Sequence, residues 1–95
     1  MRKFNQKDEA LVQAGVSIQI IINSYEIDVK EAADIQDYSK AAGYYNIVTG
    51  LKRAIFEMGS LFEDEDRPIK NRVGSFHIAI NDRLAWMREQ EKKAS

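Results

Sequence analysis

His77 is the single histidine of the chain, and there is no cysteine. The side chains best suited to hold a transition metal therefore reduce to one imidazole and the carboxylates. A zinc or di-iron helical bundle draws several ligands from facing helices, such as a Glu-x-x-His on each of two, and one histidine cannot supply them. His77 also flanks an apolar helical stripe, which makes it a boundary side chain, with a pH-sensitive contact as its functional alternative. No strained nucleophile-elbow motif is present to suggest hydrolase chemistry. The expectation is a non-enzymatic protein, with no cofactor and no metal implied.

Glu63, Asp64, Glu65 and Asp66 form an acidic run. It lacks the alternating oxygen ligands and central glycine of a calcium loop, so it reads as a solvated turn. The basic residues offer more. Lys52 and Arg53 lie on one predicted helix and Lys70 and Arg72 begin the next, so the four flank the same turn if those helices are antiparallel. With Tyr44 and Tyr45 two turns away to stack a base, they make a candidate site for a small anionic ligand such as a nucleotide. Glu57 is within about one helical turn of both Lys52 and Arg53, and surface ion pairing competes with that use.

Apolar surplus is the other chemically informative feature. Trp86, Ile78 and Ala79 stand off the main stripe of the last helix, and Phe56 stands off the stripe of the one before it. Three helices share one interior, and each large side chain left in water forfeits roughly 1.5–3 kcal/mol. These four residues are the candidate partner-binding surface, where tryptophan is a favoured anchor.

The elements that must position these groups follow from periodicity. Ala10 to Tyr25 carries no charge in a chain that is 31% charged, which marks it as a buried element. Val16, Ile18, Ile20 and Ile22 alternate as in a strand, but at 100° per residue Leu11, Ala14, Gly15, Ile18, Ile21, Ile22 and Tyr25 share one face. Val12, Val16, Ile20 and Ile27 form a second face, so the sequence predicts a first helix covered on two sides, capped by Asn5 and ending near Ile27. Asp28 with Glu31 resembles a capping box opening a second helix over Val29 to Phe62. Its stripe shifts from Ile35, Tyr38, Ala42 and Tyr45 to Tyr44, Val48, Leu51, Ile55, Met58 and Phe62, which predicts a kink near Gly43, or four helices in all if the chain breaks there. A third helix opens with Asp66 as cap and Pro68 in its first turn. It presents Ile69, Val73, Phe76, Ile80, Leu84 and Met87 on one face and fades near Gln90, with Lys92 and Lys93 opposing the dipole.

The expected fold is all-α: one domain over residues 1–95, a three-helix bundle with a long central helix, completed by oligomerisation. An α+β arrangement with strands at 16–22, 44–49 and 76–80 is the competing reading. A formal charge of −1 and pI near 5.8 give no net field to draw nucleic acid or an anionic membrane. Self-association and a protein partner are the expected contacts, in a soluble cytoplasmic protein. The expected function is a small regulator or inhibitor, of a size common among phage and bacterial adaptors, docking through an apolar helix face.

Overall fold

The computed structural model describes residues 3–63 and 71–94. Among these the chain forms three helices, α1 (Gln6–Asp34), α2 (Tyr38–Gly59) and α3 (Arg72–Ala94), and no strand. The all-α expectation holds, and the isoleucine-rich segment is helical from end to end. Asn5 caps α1 as its sequence suggests, its side-chain Oδ1 accepting the Asp8 amide at 2.8 Å.

The first turn between helices departs from the sequence expectation. Asp28 and Glu31 are interior residues of α1 and cap nothing; the helix continues past Ile27 to Asp34. It closes through the Gln36 amide donating to the Ala33 carbonyl and the Asp37 amide to the Ala32 carbonyl, each at 2.9 Å. Those two bonds are a Schellman closure, whose pivotal residue turns left-handed. Here that residue is Gln36, with φ of 62°. Asp37 then caps α2 by accepting the Lys40 amide at 3.2 Å.

α2 runs unbroken through Gly43, so the chain makes no break there and forms no fourth helix among the described residues. Both apolar stripes are real, but they are two faces of one helix. Ala41, Tyr44, Val48, Leu51, Ile55 and Met58 face the interior, whereas Tyr38, Ala42 and Tyr45 are exposed. α2 ends at Gly59, and the chain turns so that Phe62 is fully buried.

The segment before α3 that includes Asp66, Pro68, Ile69 and Lys70 lies outside the described residues. From Asn71 onward, the Gly74 amide donates to the Asn71 side chain at 3.0 Å. Val73, Phe76, Ile80, Leu84 and Met87 face inward as expected, and the helix extends beyond Gln90 to Ala94.

α1 and α2 pack as an antiparallel hairpin, and α3 lies across one end of it. The core joins Val12, Val16 and Ile22 of α1 to Val48 and Ile55 of α2 and to Phe76 and Ile80 of α3. Phe62 sits between Phe4 and Phe76, with ring centroids 5.4 Å from each. Two close approaches place α3. A Cβ on Gly15 would lie 2.6 Å from Ile80 Cδ1, and one on Gly59 would lie 3.0 Å from the Val73 Cα. Only a residue without a side chain lets the helices meet this tightly.

The molecule is flat. It measures 47 × 37 × 17 Å with a radius of gyration of 15.6 Å. A compact chain of this length has a radius near 12 Å. Thickness falls short because α3 covers only one end of the hairpin. Val12 and Val16 are buried beneath it, while Ile20 and Ile27, next on the same face of α1, are exposed. The expected double cover of the first helix therefore holds for its amino-terminal half only.

Candidate functional site

The site is built where α3 crosses α1. Phe76, Ile80 and Leu84 fix the long axis of α3 against Val12, Gly15 and Val16. A charged clamp then sets its rotation. Arg83 donates from both terminal nitrogens to the two Glu9 carboxylate oxygens, at 2.7 and 2.8 Å, and the arginine is 9% exposed. Paired forks of this kind are directional as well as strong. Arg83 holds the Glu9 carboxyl below its ordinary value of 4.5, chiefly through the hydrogen bond and further through its charge, against an opposing effect of burial. In return Glu9 raises the Arg83 pKa above its usual value.

With rotation fixed in this way, Trp86 comes to the flank of α3. It borders a groove of about 340 Å³ lined by Gln13, Val16 and Ser17 from α1 and by Arg83, Trp86 and Met87 from α3. Val16 contributes buried apolar surface, and Trp86 stays 39% exposed. Ile20, half-open at 48%, follows Val16 by one turn and prolongs the apolar line along α1.

The sequence-selected residues divide accordingly. Ile78 is exposed but points from the back of α3, and Ala79, read as surface, is buried in the core at 6%. Phe56 is exposed on α2, where Arg53 lies 6.0 Å from its ring centre. It belongs to a different face from Trp86, because Gln13 and Ser17 lie on the side of α1 turned away from α2. The four residues expected to form one patch thus occupy four separate places.

The basic set does not converge either. Lys52 reaches Glu26 of α1 at 3.9 Å, and Arg53 bonds Glu57 on its own helix at 2.9 Å. Tyr44 is half-buried against Tyr25 at 5.8 Å between centroids, with Lys40 6.0 Å from its ring, whereas Tyr45 projects outward. Arg72 is half-buried at the start of α3, and its buried Nε has no hydrogen-bond partner among the described residues. Lys70 lies outside the described residues. His77 is exposed. Among the described residues no cluster of three or more histidines, aspartates and glutamates could hold a metal. Among the same residues no helix is long and apolar enough to cross a membrane.

Two interior polar groups escaped the sequence reading. Asp8 suits the first turn of a helix on electrostatic grounds, but it is 1% exposed and accepts the Glu63 amide at 3.2 Å, tying the end of α2 to the start of α1. Arg83 falls on the apolar face of α3 between Ile80 and Met87, which was the one available sign that it turns inward. Comparison with known proteins finds no matching family model, no matching curated protein and no matching solved structure.

Proposed function

We propose that this chain is a non-enzymatic protein-binding regulator or adaptor that seats an amphipathic helix of its target in the α1–α3 groove beside Trp86, and does so as a homo-oligomer. The observation that carries this reading is a half-open tryptophan bordering a groove with a buried valine and an isoleucine beyond it. Val16, Ile20 and Ile27 stand at helical spacings along α1, so a second helix laid beside them meets an apolar line interrupted only by the polar turn at Asn23 and Ser24. Covering a tryptophan and two isoleucines removes from water the kind of surface that dominates binding energy in protein interfaces. The Glu9–Arg83 clamp supports the same use, because it holds the groove walls at a fixed angle before a target arrives.

Trp86 is the only tryptophan, so its emission reports directly on the groove. A target isolated by affinity capture from the native host is expected to shift that emission to shorter wavelength on titration. Trp86→Glu is expected to abolish capture without altering the circular dichroism spectrum. Capture undiminished by Trp86→Glu, or emission unmoved at saturation, would set this reading aside.

A further inference from the structure

The outward face of α2 carries a regular pattern that the bundle leaves unused. Tyr38, Ala42, Tyr45, Thr49, Lys52 and Phe56 recur at alternating steps of four and three residues, the spacing of a coiled-coil seam. All six are exposed, with Tyr38 67%, Tyr45 62% and Phe56 52% accessible. The one charged member bends away: Lys52 reaches back to Glu26 of α1, leaving its methylene stem along the seam. The Thr49 hydroxyl donates to the Tyr45 carbonyl at 3.0 Å, so its polar atom is already satisfied within the helix. α2 therefore has two heptad seams, one turned to the core and one turned to water.

We infer that this second seam is the contact between two copies of the chain, packed α2 against α2 in antiparallel orientation about a two-fold axis that crosses between Tyr45 and Thr49, at the height of Ile47. The shared chemistry is self-complementary. An antiparallel pairing sets Tyr38 against Phe56 of the second copy, Ala42 against Lys52 and Tyr45 against Thr49. Aromatic rings thereby meet at both ends, and the smallest residue makes room for the longest stem. Charge selects the same orientation. Asp34, Asp37 and Lys40 lie at the amino end of the seam and Lys52, Arg53 and Glu57 near its carboxyl end, which leaves the first net acidic and the second net basic. Antiparallel packing brings the basic end of one copy within about a turn of the acidic end of the other, whereas parallel packing stacks Lys52 on Lys52.

Self-association is common to this inference and the proposed function, but the face differs, since the seam and the Trp86 groove lie on different sides of the hairpin.

Sedimentation equilibrium of the full chain tests the contact, and engineered cysteines test its orientation in a protein with none of its own. Wild type is expected to be a dimer, and Tyr45→Glu is expected to weaken dimerisation by about 30-fold or more. Its circular dichroism should be unchanged, because Tyr45 is exposed in the single chain. Under mild oxidation the double variant Ala42→Cys with Lys52→Cys should form covalent dimers, and either single variant should not. A strictly monomeric wild type would overturn the inference. So would a dimer indifferent to Tyr45→Glu, or crosslinking as efficient in the single variants as in the double. Trp86→Glu should leave dimerisation intact, so failure of the groove and failure of the seam are read separately.

Discussion

Glu9 and Arg83 show how much one buried pair constrains so thin a molecule. Glu9→Gln leaves the buried guanidinium without its carboxylate, and a loss of about 1.5–3 kcal/mol in chemical denaturation at neutral pH is expected. The acid dependence follows from the lowered pKa of Glu9. A carboxyl whose pKa is lower in the folded than in the unfolded chain adds stability that is complete above its ordinary value of 4.5 and is lost as pH falls through the lowered value. The gap between wild type and Glu9→Gln should therefore close in acid, and a gap independent of pH would contradict the assignment. Gly15 and Gly43 make a second pair of expectations with opposite signs. Gly15→Ala drives a methyl group into Ile80 and Phe76 and should destabilise by about 1–2 kcal/mol, the overpacking cost outweighing the gain in helix propensity. At Gly43 a Cβ meets nothing within 4 Å, so Gly43→Ala should stabilise by about 1 kcal/mol. Matched thermal melts of the two variants check both signs. Arg83 and Asp8 were not legible in the sequence as buried groups, because a charged side chain turns inward only when a partner from a distant segment meets it, and no local pattern announces that meeting. Trp86 and Phe56 were legible as exposed for the converse reason: each stood off a stripe that already filled its helix's share of the interior.

Periodicity recovered each of the three helices but misplaced the joint between the first two. The third helix was the plainest, since Val73, Phe76, Ile80, Leu84 and Met87 form one stripe that enters the core it shares with α1 and α2. In α2 the shift in apolar positions by itself predicts one stripe that turns, with a kink at Gly43. A helix with two apolar faces produces the same pattern without bending, and the face left exposed is what separates the cases. The true joint carries no glycine or proline. Gln36 accepts a left-handed conformation that costs a non-glycine residue on the order of 1–2 kcal/mol, and the two carbonyl closures around it hold it there. Gln36→Gly relieves that cost, and a gain of about 1 kcal/mol is expected, partly offset by the greater freedom of glycine in the unfolded chain. Urea midpoints of the two proteins decide it; a loss of stability would mean that the glutamine side chain contributes a contact that outweighs its backbone.

At the scale of the whole molecule, cover is uneven. Where α3 crosses, three helices and the Phe4, Phe62 and Phe76 rings close around a common centre; toward Gln36 only α1 and α2 touch. Amide hydrogen exchange is expected to be graded, slowest around Val12, Ile55 and Ile80 and faster toward the Gln36 turn through local opening. Uniform protection along α1 in a lone chain would contradict this, whereas a sharp rise in protection along α2 with concentration would follow from the seam contact. Joined by so short a connection, α1 and α2 are neighbours along the chain before they are neighbours in space. The hairpin can zip from Gln36 outward with little loop entropy to overcome, and α3 has only to settle onto a surface already made. Folding should accordingly be fast for a protein of this length, with refolding rates more sensitive to changes around Tyr25, Ala32 and Tyr44 than to changes in α3, whose loss would chiefly hasten unfolding.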